Sequence, residues 1–349
     1  MSGATPRALG FRMPAEWEPH AGTWLSFPRP EGISFPGLYE RVPALWVRMI
    51  AELSSGEDVH VNVLDAADEA RVAALVAAAP DVTPGRVHLH RIPTDEPWCR
   101  DHGPIFVTRP GEVAVIDWGY NAWGGKYPPF DRDDAVPSRI AALLGLRAFH
   151  PGIVMEGGAL DVNGRGTLLT TESCLLNPNR NPTLDRAAIA DHLREYLGVR
   201  HVVWLGDGIA GDDTDGHVDD ISRFVAPDTI VTVVEPDPAD ENHRPLADNL
   251  ERLRAARDQD GRPFTILELP LPAPVVRDGQ RLPASYANFY IGNAVVLVPT
   301  FADRNDAAAL ALLRRCFPSR RVVGIDSRDL VWGLGAFHCA TQQQPEKPA

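Results

Sequence analysis

Cys339 lies in the run Gly333-Leu-Gly-Ala-Phe-His-Cys-Ala-Thr-Gln-Gln-Gln344, and three acidic clusters, two of them bearing a histidine, precede it. These are Trp98-Cys-Arg-Asp-His-Gly-Pro104, Glu156-Gly-Gly158 and Asp212-Asp-Thr-Asp-Gly-His-Val-Asp-Asp220. Together they supply a thiol nucleophile, a proton shuttle and several carboxylates, the parts needed to attack a cationic group at carbon. A guanidinium carbon is a poor electrophile because resonance spreads its charge. Carboxylates must hold the planar fork through paired hydrogen bonds, a thiolate must approach the carbon, and a histidine must protonate the departing nitrogen and later activate water. Asp101, Glu156, His217, Asp219 and Cys339 fit these roles. If His217-Val218-Asp219 is extended, the two-residue period puts both side chains on one face. Gly157 and Gly158 would permit close backbone approach to a flat ligand.

Each residue also has a plainer reading. Cys339 could be an inert core thiol, Asp101 a surface ion pair with Arg100, and Glu156 a turn residue. His217 and Asp219 could ligate a metal, but no further histidine stands at helical ligand spacing, and neither a metal nor a cofactor is expected. His338 is a rival base, set aside because neighbours on an extended chain point to opposite faces. Trp123 could be core, or a wall and cation–π face for the substrate. Asp213 and Asp215 could merely structure a turn. Cys99, Cys174 and Cys316 read as structural; with no CxxC pair, the cysteines suggest reduced thiols rather than disulfides or zinc.

The elements that must position these groups alternate. Helices are expected over Tyr39–Leu53, from the Asp65 cap through Ala79, over Ala135–Leu144, from a Thr183 cap to Gly198, over Arg244–Arg257 and over Asp306–Phe317. Strands are expected at Val59–Leu64, Val87–Ile92, Pro104–Thr108, Val113–Trp118, His201–Leu205, Ile221–Ala226, Thr229–Val234, Phe264–Leu269 and Arg321–Ile325. Asn163-Gly164 predicts a type I′ hairpin between Ala159–Val162 and Thr167–Thr171, and Asn288–Pro299 a hairpin turning at Asn293. Helices restart at intervals that hint at structural repetition without a repeated motif. Periodicity alone allows either one compact α/β domain of repeated units or a doubly wound sheet.

The 349 residues give ample length for a large core, and the formal charge of −13 disfavours nucleic acid and anionic membranes while suiting a small cation. Met1–Met13 carries no apolar signal-peptide core, and no run approaches about 18 apolar residues, so neither export nor a membrane span is expected and the cytoplasm is the default.

At these residues the chain resembles the agmatine deiminases, within the wider family that includes the bacterial peptidyl-arginine deiminases. The resemblance rests on Met13-Pro-Ala-Glu-Trp-Glu-Pro-His20, Trp98–Pro104, Asn121-Ala-Trp-Gly-Gly-Lys-Tyr127, Glu156–Gly158, Leu168–Pro182, Gly211–Asp220, Ala284–Tyr290 and His338–Pro345, in one order along the chain. It implies an α/β fold, a five-bladed pseudo-symmetric propeller of pentein type, with a flexible N-terminus over 1–12 and a single catalytic domain over 13–345. It implies that Cys339 attacks the guanidinium carbon, that ammonia leaves, and that an amidino-cysteine is hydrolysed, with His217 as acid and base and Asp101, Glu156 and Asp219 holding the cation. Trp98, Trp123, Asp213 and Asp215 become candidate substrate contacts, the two aspartates for a distal ammonium. A homodimer is also implied. Where the family usually reads Gly-Gly-Gly-Asn-Ile-His-Cys, this chain has Leu334, Ala336 and Phe337, and Asp213 replaces a glutamate; Ala336 puts substrate identity in question. Rival activities are deimination of free arginine, peptidyl-arginine or another alkylguanidine, amidino transfer to an amine, and guanidine binding without catalysis.

Overall fold

The computed structural model describes residues 4–349. Its strands form five sheets of three or four strands and one separate two-stranded hairpin, Val276–Arg277 with Gln280–Arg281. The single doubly wound sheet that periodicity allowed does not form. Each larger sheet repeats one pattern: a first strand antiparallel to a second, then a helix, then a third strand parallel to the second. Parallel neighbours cannot be joined by a tight turn, so a crossover helix is obligatory there.

One unit runs Ile105–Arg109, Glu112–Ile116, helix Val136–Leu144, Arg147–Phe149. The next is Asp161–Val162, Thr167–Thr171, helix Arg186–Leu197, His201–Leu205. Two more follow: Ser222–Ala226, Thr229–Val234, helix His243–Ala255, Thr265–Pro270, and then Tyr290–Ile291, Val295–Thr300, helix Asp306–Cys316, Arg321–Asp326. The fifth joins the two ends of the chain. Its first strand is Thr341–Pro345, its second His20–Ser26, its helix Val42–Ser54 and its third strand Asp58–Val63, with Val87–Arg91 added in parallel.

Local chemistry explains most boundaries. Asp65 Oδ1 accepts from the Ala67 and Asp68 amides and starts helix Ala66–Ala77. Helix Val42–Ser54 buries Trp46, Met49, Ile50 and Leu53 at helical spacing. The cap expected at Thr183 is instead Asp185, whose carboxylate accepts from Ala188 N, and the helix closes on Gly198 at φ 68°. The Asn163-Gly164 hairpin forms, but not as a two-residue type I′ turn. Positive φ falls on Gly164 and Gly166, while Asn163 Oδ1 accepts from Arg165 N and Thr167 N, widening the loop.

Residues 5–12, expected as part of a flexible arm, are docked. Thr5 and Arg7 bond to Glu195, Arg12 bridges to Thr108, and buried Phe11 lies edge-on to Phe149 beneath the Arg109 guanidinium. Residues 1–3 of that arm lie outside the described residues. Among the described residues no helix is long and apolar enough to cross a membrane.

Phe11→Ala is expected to lower stability by about 3 kcal/mol in denaturant unfolding, the usual cost of removing a buried aromatic ring; an unchanged midpoint would mean that the segment is loosely held.

Candidate active site

Every cluster named from the sequence sits just ahead of the first strand of a unit. Asp101 precedes Ile105, Glu156 precedes Asp161, His217 and Asp219 precede Ser222, and Cys339 precedes Thr341. Short turns carry them: Cys99–His102, Gly157–Ala159, Val218–Asp220 and Phe337–Ala340. His217-Val218-Asp219 is therefore not extended; a 3-10 turn brings its two side chains together. Gly158 marks the point of convergence. A Cβ there would stand 2.5 Å from His217 Nδ1, 2.8 Å from Asp101 Oδ1 and 3.2 Å from Asp219 Oδ2, so only glycine fits.

Cys339 is buried, and its Sγ accepts from Asn288 Nδ2 at 3.0 Å and lies 3.6 Å from Asp219 Oδ2. Asn288 also accepts from the His338 and Cys339 amides through Oδ1 and donates to Asp220 Oδ1. One amide thus fixes the whole nucleophile turn. Burial pushes the thiol well up from its ordinary range, and the charges of Asp219, Asp220 and Asp101 add to this. Burial and Asp219 likewise push Asp220 well up from the usual carboxylate range.

His217 is fully buried with neither ring nitrogen hydrogen-bonded; Nδ1 is 3.6 Å from Asp101 Oδ1 and Nε2 3.9 Å from Glu156 Oε2. Burial opposes its charge, but Asp101, the Cys174 thiol and Glu156 outweigh this and hold its pKa well above the usual value. Glu156 keeps its charge despite burial, through His217 and through Arg180, whose Nε donates to Oε1 at 2.6 Å. Asp101 has no cationic side chain hydrogen-bonded to it. It accepts from Trp123 Nε1 at 3.0 Å and Gly158 N at 2.9 Å, and burial, reinforced by Asp219, raises it to about 6. Arg100 turns away to Gln343, the His338 carbonyl and Glu16, so the adjacent-charge ion pair does not form.

Cys339 and Asp101 open onto a cleft of about 200 Å³ also lined by Trp98, Trp123, Tyr127 and Asp213, with Glu96, Gln280 and Trp332 on its wall, while Glu156, His217 and Asp219 lie buried and are not among its lining residues. Trp98 is held by its Nε1 bond to Ser34 Oγ, 2.9 Å, and backed by Gly335. Trp123 sits at φ 54°, a left-handed conformation that costs a bulky residue about 1 kcal/mol or more. Asp213 accepts from Tyr127 Oη. Asp215 does not reach the cleft; Lys126, Asn179 and Arg180 hold its carboxylate. Ala336 is buried in the core and is not a lining residue, whereas Leu334, at φ 66° where the family has glycine, forms part of the wall. His338 lies on a helical turn, not an extended chain, and its ring faces Asp219 and Glu16. Asn288, Asp220, Arg180 and Glu16 were not singled out from the sequence, although each lies within a stretch that carried the resemblance. Two sets of metal-capable atoms fall within 4.8 Å of one another, Glu156 with Cys174 and His217, and Asp219 with Asp220 and Cys339; both consist largely of the residues expected to be catalytic.

The sequence profile of the Porphyromonas-type peptidyl-arginine deiminases matches residues 12–345. Agmatine deiminases of Ectopseudomonas mendocina and Pseudomonas aeruginosa are each 38% identical, over 98% of this chain and 97% of the relative. The solved structure of an agmatine deiminase of Enterococcus faecalis superposes with a TM-score of 0.92 at 33% identity, over 99% of both chains.

Two outcomes are expected from this geometry. Asp101 must be ionised to hold a cation and is raised to about 6, so kcat/KM should fall as pH drops through that value; Trp123→Phe, which removes a donor to the carboxylate, should move the acid limb to higher pH. Gly158→Ala should cut kcat by about a hundredfold or more by displacing the imidazole, with the far-ultraviolet circular dichroism spectrum retained. An acid limb unmoved by Trp123→Phe, or an active Gly158→Ala variant, would contradict these placements.

Proposed function

This chain belongs to the Porphyromonas-type peptidyl-arginine deiminase family, and on that premise we propose a mechanism by which its residues convert agmatine and water to N-carbamoylputrescine and ammonia. The chain is an agmatine deiminase, a hydrolase of the carbon–nitrogen bond of a linear amidine. The observation that carries the residue assignment is the thiol of Cys339, held by Asn288 beside Asp219 and Asp101, with His217 between Asp101 and Glu156.

In this reading Asp101 and Asp219 grip the guanidinium nitrogens, and the bound cation offsets the negative charges that keep Cys339 protonated. The Cys339 proton is released to solvent through the cleft as the cation binds, and the thiolate then attacks the guanidinium carbon, with Asn288 donating to sulfur. His217, already protonated, gives its proton to the departing nitrogen and ammonia leaves. Water follows into the site, His217 takes its proton, and the hydroxyl adds to the amidino carbon. Collapse of that adduct breaks the carbon–sulfur bond, giving the urea-type product and returning the thiol. Glu156, pinned by Arg180, keeps His217 charged between these transfers. Trp98 and Trp123 flank the methylene chain, and Asp213 meets the distal ammonium; the removal of Asp215 from the cleft leaves that role to Asp213.

The five repeated units support a five-bladed propeller with the turns before the first strands gathered at its axis, and residues 13–345 as one catalytic domain. Placement in the cytoplasm and self-association as a homodimer complete the reading, the latter testable by light scattering.

Purified protein should release ammonia from agmatine in preference to free arginine and a blocked arginine peptide, and in heavy-oxygen water the product should carry the label. Preference for another guanidine would move the substrate assignment. Cys339→Ala should lose more than about a thousandfold in turnover while still binding agmatine; turnover at a few per cent of wild type would remove the nucleophile assignment.

A further inference from the structure

The motif Met13–His20 supplies no group that touches the cleft, yet Glu16 within it is buried beneath the site. Its carboxylate accepts from Arg100 Nη2 at 3.2 Å and Ile291 N at 2.8 Å, pairs with Arg223 Nη2 at 2.9 Å, and meets His338 Nε2 at 2.8 Å. The opposite nitrogen of the same ring, Nδ1, is 2.7 Å from Asp219 Oδ2. An ionised carboxylate can only accept, so a ring lying between two of them is satisfied only when both nitrogens carry hydrogen.

We propose that His338, anchored by Glu16, is a positioning residue that holds Asp219 in a single rotamer with Oδ1 presented to the guanidinium. The geometry supports this twice over. Asp219 Oδ2 is occupied by His338 and adjoins the Cys339 sulfur, while buried Oδ1 has no partner among the described residues. A buried acceptor left free on a carboxylate whose other oxygen lies 3.6 Å from the Cys339 sulfur is the oxygen a cation's N–H groups would take. The imidazole therefore decides which oxygen faces the substrate. It also supplies positive charge that helps keep Asp219 ionised against burial, together with His217 and Arg223. The other groups facing this pair are Cys339, Asp220 and Asp101 on the cleft side and Arg100 behind Glu16.

This inference rests on the deiminase reading, and wild-type turnover of agmatine tests that reading separately. His338→Gln should raise KM for agmatine by about tenfold or more, the scale of one lost charge-assisted hydrogen bond. The penalty should shrink as pH rises, because Asp219 without the imidazole has a higher pKa and recovers its charge only at higher pH. His338→Asn, whose amide can reoccupy the Nδ1 position, should recover part of the loss, and Glu16→Gln should raise KM in the same direction without touching Asp219. Active-site titration with iodoacetamide and thermal unfolding accompany each variant. An unchanged KM with only a smaller titratable fraction would reduce the pair to a structural brace and overturn the proposal, as would a KM penalty independent of pH. If the wild type turns over no agmatine, the same variants are compared by guanidinium protection of Cys339 from alkylation; equal protection in wild type and His338→Gln overturns the inference, and weakened protection upholds it.

Discussion

The arrangement depends on holding several carboxylates in an interior without water. Glu16, Asp101, Glu156, Asp161, Asp219 and Asp220 are all buried, and an isolated charge in such surroundings costs several kcal/mol. The fold answers for most of them individually. Arg180 serves Glu156, Arg223 serves both Glu16 and Asp161, and His338 serves Asp219. Burial and the neighbouring Asp219 push Asp220 well up. Asp101 is left with backbone and indole donors and with His217 at a distance. The negative charge that remains unmatched is thus concentrated beside the sulfur, where a guanidinium would complete it.

The same imbalance separates substrate from product. A guanidinium entering the site relieves repulsion among the carboxylates and lowers the cost of ionising Cys339. The urea formed from it is neutral and cannot do either, so the groups that favour binding cease to favour it once the reaction is over. The distal ammonium keeps its charge, and Asp213 with its Tyr127 partner is the part of the cleft suited to it.

The units were legible where local chemistry decides structure. The Asp65 cap, the apolar stripe of Val42–Ser54 and the turn at Asn293 lie where the sequence places them. Strands His20–Ser26 and Thr341–Pro345 were not recognised, because Thr-Gln-Gln-Gln-Pro has no apolar alternation and is a strand only by virtue of its partner across the chain. Asn163 failed as a type I′ signal because its side chain found backbone donors that widened the loop. At the site, residue types pointed to the groups proposed to do chemistry but not to those that hold them. Asn288 is an amide whose importance comes from four bonds to two turns, and Asp213 and Asp215 differ only in which way a tight turn with φ 69° at Asp215 points them.

The pairing of Thr341–Pro345 with His20–Ser26 has a consequence for how the enzyme comes into being. During vectorial synthesis every carboxylate of the site leaves the ribosome before the sulfur does, and the strand that directly follows the sulfur's turn has its partner near the opposite end of the chain. A nascent polypeptide can therefore gather acidic groups able to attract a guanidinium but has nothing with which to attack it. Reactivity arises only when the two ends pair, so catalytic competence reports the joining of these two strands, and pairing across so long a span is intrinsically slow to form.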